Sequence, residues 1–361
     1  MILFVLYEFV SNKHKGASGG NISNFLLIEY LRLHKKIAII APNICKELKA
    51  DLEQKKVTVI TENLEFKLPL HRFKKREWIK KTLKSLDIDH PSISSQIKVI
   101  VSSSGTSDLT AHLGNSSTKL YILCRAFEDF YSHNSHYPLK EKIKRVFIKL
   151  FTAKKISASY KNADRIITNS EFMKDFIRSH YSAPPVSVLY PPIDLPLKTF
   201  KHLPLQPRIG IINPSKRKGE AIFIALAKAY PDYKFVYFSQ HAIKYTLTNI
   251  VYGGWHSDRE TLFSHIDLLL APSVWSEPFG RVSVEAIRSG IPVLVSNAGG
   301  LPETVDSTFV VYSHSVDEWA KQLEWIINNS QQVEDAWNRS ALISTKFEQL
   351  PHDKNALNIF S

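Results

Sequence analysis

Two glutamates eight positions apart, Glu277 and Glu285, straddle a stretch in which Pro278, Phe279, Gly280 and Arg281 read as the opening of a helix. The first N–H groups of a helix have no internal acceptor, and they carry the positive end of its dipole. Carboxylates, in turn, grip hydroxyl groups. The pattern therefore suits a ligand with a diphosphate at the backbone of Phe279, Gly280 and Arg281 and hydroxyls on either side, at Glu277 and Glu285. Pro278 fits the first turn, where its missing N–H costs nothing, and Gly280 lets a phosphate approach closely. Taken singly, Glu277 reads as a first-turn cap and Glu285 as an exposed helix residue. The surrounding Pro272-Ser273, Gly290-Ile291-Pro292-Val293 and Gly299-Gly300-Leu301-Pro302-Glu303 favour the combined reading.

A second element is Ile211–Gly219, where a strand, a short loop and Lys218-Gly219 at a helix start would set a cation against phosphates. Lys216 reads equally well as a solvated basic turn. Val251-Tyr252-Gly253-Gly254-Trp255 is, on its residues, a glycine turn. Gly16-Ala17-Ser18-Gly19-Gly20-Asn21 fails the dinucleotide pattern G-x-G-x-x-G at Ser18, so a nicotinamide cofactor is not expected. His133 and His136 share a short stretch, but no metal-ligand motif frames them.

These residues need a scaffold, and the chain alternates short apolar strands with helix-length segments. Ile2–Tyr7, Lys36–Ala41, Val57–Thr61, Lys98–Ser102, Leu120–Cys124, Arg165–Thr168 and Val186–Tyr190 predict a buried parallel sheet. Asn21–Leu33, Phe73–Leu86, Glu141–Tyr160 and Glu171–His180 predict its helices. After the Pro-containing connection 190–207 a second series begins, with strands Arg208–Ile212, Lys234–Phe238, Ile266–Leu270 and Pro292–Ser296. Its helices fall near Lys218–Ala229, Asp258–Ser264, Pro278–Ser289 and Val316–Asn328. The fold class is α/β, two Rossmann-like doubly wound domains. The expected boundaries are 1–195, 196–335 and a helical segment 336–361.

The 361 residues suffice for two cores, and 44% hydrophobic residues suit a globular protein. No run approaches the roughly 20 apolar residues of a membrane span. The apolar opening 1–9 lacks a basic region and a cleavage site, so it reads as a core strand rather than a signal peptide. Two cysteines, Cys45 and Cys124, exclude a disulfide framework and point to a reducing cytoplasm. The net charge of +13 equals the excess of two runs, 67–84 at net +7 and 140–155 at net +6.

The motifs at Glu277-Pro278-Phe279-Gly280, Glu285, Gly290-Ile291-Pro292-Val293 and Gly299–Glu303 resemble the E-x7-E donor site of retaining glycosyltransferases of the GT-B fold, family 4. The resemblance implies two domains facing a central cleft, with the last helix crossing back onto the first. It implies that Glu277 contacts the transferred sugar, Glu285 the ribose, and Lys218 the diphosphate of a UDP- or GDP-linked sugar. Donor contacts would also come from Gly19, Gly20, Asn213, Gly254, Trp255, Phe279, Gly280 and Arg281. Where relatives carry an arginine five residues before the lysine, this chain has Asn213, and Arg217 or Lys216 would supply the missing charge. The histidine that many relatives place after a mid-domain strand is absent, because Tyr121–Phe130 holds none. Arg125 joins Glu277 and Lys218 as a candidate catalytic residue, with Asp108, Glu128 and Asp129 as candidates for handling the acceptor. His112 is the nearest histidine to the preceding loop.

The implied reaction moves a sugar onto a glycan, lipid-linked or envelope polysaccharide acceptor with retention, without a cofactor or metal. A sugar-nucleotide epimerase of the same fold and a degenerate partner subunit are the rival readings. Within 72–86, Phe73, Ile79, Leu83 and Leu86 are expected to share one helix face and basic residues the rest, a pattern suited to an anionic membrane surface. Nucleic acid is not an expected partner, since no binding motif accompanies the charge. The expected location is cytoplasmic, peripheral on the inner face of the membrane.

Overall fold

The computed structural model describes residues 1–10, 19–64, 71–103, 105–110, 113, 117–127, 154–181 and 184–361, without the side chains of 71 and 72. Residues 16–18 of the glycine loop, Lys67, the side chain of Arg72, His112, Glu128, Asp129, His133, His136 and the basic run 140–153 lie outside it. The chain forms two compact units, Met1–Leu189 with Asp353–Ser361, and Tyr190–His352.

The first unit is built on seven parallel strands in the order β3-β2-β1-β4-β5-β6-β7. They are β1 Ile2–Val5, β2 Ile37–Ile40, β3 Thr58–Ile60, β4 Val99–Ser103, β5 Lys119–Cys124, β6 Arg165–Thr168 and β7 Val186–Val188. Continuous apolar runs such as Ile-Leu-Phe-Val in β1 suit this sheet because both faces are covered. Alternation divides them: Phe4 and Leu6 pack with Leu27, Ile28, Tyr121 and Leu123 on one side, and Leu3 and Val5 with Ile79, Leu83 and Ile100 on the other.

The helix His71–Asp89 corrects the expected amphipathic pattern. Ile79, Leu83 and Leu86 are buried, but Phe73 is 63% exposed. At about 100° per residue Phe73 falls well away from the stripe of the other three, whereas Lys75 and Arg76 fall beside it. Lys75 is accordingly buried, its ammonium 5.2 Å from the centre of the Tyr7 ring. Arg76 bonds the Gly105 carbonyl and pairs with Asp108. Lys74, Lys80, Lys81 and Lys84 are exposed. No helix of the described residues is long and apolar enough to cross a membrane.

The second unit has six parallel strands in the order β10-β9-β8-β11-β12-β13: β8 Arg208–Ile212, β9 Lys234–Phe238, β10 Ile250–Tyr252, β11 Leu268–Ala271, β12 Val293–Ser296 and β13 Val310–Val311. The order reverses between β8 and β11, so the loops that follow these two strands open side by side at the switch point, where ligands of open α/β sheets bind. At their other ends the two strands are tied by Asp267. It accepts from the Arg208 backbone N–H at 2.8 Å and from Arg208 Nε at 2.9 Å, and it pairs with Lys201. Burial opposes the Asp267 charge, but these bonds outweigh it and lower its pKa to about 2.

The unit boundaries differ from the expected 195 and 335. Tyr190–Leu195 already belongs to the second unit, where Ile193 packs with Phe279, Val284 and Phe347 and donates its N–H to the Phe347 carbonyl at 2.7 Å. The segment 336–361 does not cross back as a whole. The helix Ser330–Ser344 buries Val333, Ala336, Trp337 and Ala341 in the core of the second unit. Of this segment only Asp353–Ser361, which includes most of the helix Gln349–Phe360, joins the first unit, setting the Phe360 ring 5.6 Å from Tyr121 and 6.4 Å from Phe4.

Candidate active site

The loops after β8 and β11 bring Lys218 and Glu277 together. Glu277 is 7% exposed, and its Oε1 accepts from Lys218 Nζ at 2.5 Å, Ser273 Oγ at 2.6 Å and Trp275 Nε1 at 3.0 Å. Three donors on one oxygen fix the carboxylate and offset its burial. Arg217, expected as a spare phosphate cation, instead places its guanidinium 4.7 Å from the centre of the Trp275 ring. Lys216 is exposed. Gly219 caps the helix Glu220–Ala229 at φ +76°, and a β-carbon there would stand 1.8 Å from the Pro272 carbonyl. The glycine thus lets the Lys218 loop lie directly on the Glu277 loop.

Glu277 is also held through its backbone. Its N–H donates to Ala298 O at 3.3 Å, and its carbonyl accepts from Gly300 N–H at 2.7 Å. The Gly299-Gly300 turn is therefore part of the seat of Glu277. Ser273 belongs to the Pro272-Ser273 element of the motif, whereas Trp275 carries no expectation of its own, although its spacing of two from Glu277 fits neighbours on one side of an extended segment.

Glu285 is only 2% exposed, which removes the reading of it as a surface residue. Arg281 Nε donates to its Oε1 at 2.8 Å, and Arg259 Nε stands 3.1 Å from Oε2. Arg281 also bonds the Pro192 carbonyl at 2.8 Å, and Arg259 lies 5.7 Å from the centre of the Trp255 ring. Arg259 thus links Trp255 to Glu285, a role with no local sequence signal because 26 residues separate it from the glutamate. The helix runs Arg281–Arg288 with Gly280 as its N-cap, so Pro278 precedes the first turn rather than occupying it. No hydrogen bond of the described residues uses the N–H of Phe279, Gly280 or Arg281. The Phe279 side chain is buried in the core.

Asn213 is exposed at φ +51° and gives its N–H to Phe238 O at 2.7 Å. In the glycine turn after β10, Gly253 O lies 2.8 Å from His256 Nε2 and Gly254 O accepts from Ser239 N–H at 3.2 Å, with Trp255 half-buried beside it. In the first unit Gly19 and Gly20 open the helix Gly19–Leu31. Asp108 is ion-paired to Arg76, a structural partner. Arg125 follows β5, is 8% exposed, and by burial has its pKa lowered to about 10.

Residues 234–341 match the family model described as Glycosyl transferases group 1, and residues 27–196 match Glycosyltransferase Family 4. A D-inositol 3-phosphate glycosyltransferase of Mycobacterium tuberculosis is 40% identical over 75 residues, 20% of this chain and 15% of that protein. Its counterpart from Corynebacterium aurimucosum is 38% identical over 71 residues, 19% of this chain and 17% of that protein. The chain therefore spans less than a fifth of the length of these curated relatives. Among solved structures, Anabaena Alr3699/HepE in complex with UDP and glucose superposes with a TM-score of 0.68 at 18% identity, over 100% of this chain and 99% of that one. S. aureus TarM, solved as a mutant with fondaparinux, alpha-GlcNAc-glycerol and UDP, gives 0.67 at 11% identity, with 100% and 99% covered. The fold is GT-B, and both halves of the chain carry the sequence pattern of glycosyltransferase family models.

Proposed function

We propose that this chain is a retaining glycosyltransferase that moves a sugar from a nucleotide-diphosphate sugar to a glycan, lipid-linked or envelope polysaccharide acceptor. The observation that carries the reading is the buried Glu277 carboxylate paired with Lys218, just ahead of a helix start with unused N–H groups. Carboxylate and ammonium satisfy each other. A diphosphate would take over Lys218 and the N–H groups of Phe279, Gly280 and Arg281, leaving Glu277 to sugar hydroxyls and Glu285 to the ribose. As the bond from the anomeric carbon to phosphate breaks and the bond to the acceptor oxygen forms on the same face, the acceptor proton passes to the departing phosphate oxygen. Lys218 and the helix start stabilise the charge on that leaving group, and the fixed carboxylate holds the sugar in place.

Relatives solved with UDP and with UDP-glucose support a uridine nucleotide as the first donor to test, ahead of GDP. In this reading the reaction draws on no metal, and transfer persists in EDTA. The exposed Lys74, Lys80, Lys81 and Lys84 support a cytoplasmic protein peripheral on the inner face of the membrane. Incubation with a panel of nucleotide sugars tests the function. Donor-dependent nucleotide release that Glu277→Ala and Lys218→Ala abolish is expected. Failure to bind any donor sinks the reading, and epimer formation without acceptor replaces it with the epimerase.

A further inference from the structure

Among the described residues, Arg125 is an unpaired buried cation. Its Nε, Nη1 and Nη2 are all shielded, and none meets a hydrogen-bond acceptor of those residues. Burial alone pulls its pKa down, with no carboxylate set against it. Polar groups in this condition are costly, a charge most of all, and an orphaned one in a native fold calls for an explanation such as a missing ligand.

Its surroundings have the same character. β5 and β6 are adjacent, with Cys124 opposite Thr168, so Arg125 and Asn169 stand next to each other just past the carboxyl ends of their strands. Asn169 Nδ2 donates to the Arg125 carbonyl at 3.0 Å, and its Oδ1 is buried with no partner among the described residues. By alternation Arg125 follows Tyr121 and Leu123, and Asn169 follows Ile167, all on the side of the sheet covered by Leu27 and Ile28 of the helix Gly19–Leu31. Asn24, one turn before Ile28, is buried on that helix and also has an unpartnered Oδ1. A guanidinium and two amide oxygens, each shielded and unsatisfied among the described residues, thus belong to one side of one sheet, Arg125 and Asn169 at its carboxyl end, where doubly wound folds receive ligands.

We propose that this edge of the first unit binds an anionic polyol acceptor, with Arg125 as counterion to its phosphate or carboxylate and Asn169 and Asn24 accepting from its hydroxyls. The inference rests on the glycosyltransferase reading for the word acceptor, and on Arg125 itself for the anion. The planar fork of arginine matches either oxyanion in bidentate fashion. The donor diphosphate has its own cation and helix start in the second unit, so Arg125 is left for a different anion.

The test titrates the full chain calorimetrically with glycerol 1-phosphate, inorganic phosphate, glucuronate, neutral glycerol and glucose, and separately with UDP. One anionic class is expected to bind and the neutral compounds not, the phosphate and glucuronate arms telling the two oxyanions apart. Arg125→Ala should weaken that binding by about tenfold or more, as loss of a charged hydrogen bond implies. Arg125→Lys should recover part of it, while UDP affinity stays unchanged in both variants. The inference is overturned if no anion binds the wild type, or if Arg125→Ala binds it equally well and only raises the melting temperature. It also falls if Arg125→Ala weakens UDP as strongly, because the arginine then serves the donor. If neither UDP nor, titrated next, GDP binds, the glycosyltransferase reading fails, and the anion titrations still decide what Arg125 holds.

Discussion

If Glu277 serves the proposed donor site, a single methyl group added at Gly299 should disable that site. Gly299 sits at φ +68°, and a β-carbon there would stand 2.1 Å from Glu277 O and 2.6 Å from Glu277 N. Ordinary contact begins at 3.4 Å, so the Glu277 backbone must retreat by 1.3 Å. It cannot do so freely, since its carbonyl is held by Gly300 N–H and its side chain by Lys218, Ser273 and Trp275. Misplacing a positioning group by about 1 Å costs on the order of 100-fold in rate, and the left-handed backbone adds about 1–2 kcal/mol of strain for any residue with a side chain. Gly290→Ala is the matched control. Its φ is +82° and its β-carbon would meet Thr199 O at 2.2 Å, at the far end of the helix Arg281–Arg288. Denaturant unfolding should show both variants destabilised, while nucleotide release at saturating donor should show kcat collapsing only in Gly299→Ala. If both variants keep near-normal kcat, or both lose it equally, Gly299 does not act by seating Glu277.

Removing either arginine that holds Glu285, by Arg281→Ala or Arg259→Ala, should weaken nucleotide binding by about tenfold. Equilibrium titration with UDP checks this, and an unchanged affinity would show that Glu285 works without them. Asp306, held down by its bond from Arg339, and Asp267 both titrate at about 2 in the fold against an ordinary 3.8. Because both folded values are depressed, their stabilisation is complete above about pH 4 and drains away as the pH falls towards 2. The melting temperature of the second unit should drop across that window, and Asp267→Asn should flatten the drop. For the membrane reading, charge reversal at Lys74, Lys80 and Lys81 should abolish sedimentation with anionic vesicles; unchanged binding would refute it. Lys75 is left out of that set because it is buried.

Much of this architecture is legible in the sequence because buried parallel strands are apolar throughout. Ile37–Ile40 and Val293–Ser296 announce themselves, whereas the two-residue β13 is too short to show a pattern. Local grouping is legible in the same way: Glu277 and Gly280 lie in one strand-to-helix connection and Glu285 in the helix that follows it. What is not legible is assembled by distance. Lys218 meets Glu277 across 59 residues, and Arg259 reaches Glu285 from another loop. The basic stretch 72–84 misleads because composition counts lysines without regard to angle, and helical geometry turns Lys75 and Arg76 inward and Phe73 outward.

The second unit is threaded into the first as an insertion: the chain enters it at Tyr190, leaves it after His352, and only then supplies Asp353–Ser361. Ala356, Ile359 and Phe360 complete a core that begins with Ile2 and Phe4. During synthesis the inserted unit has all its strands available before the host unit has its last helical turn. The earlier-made sheet lacks the cover of Phe4 and Tyr121 until Phe360 is made, and a chain stopped at His352 would hold every residue of the second unit but not those that complete the core of the first.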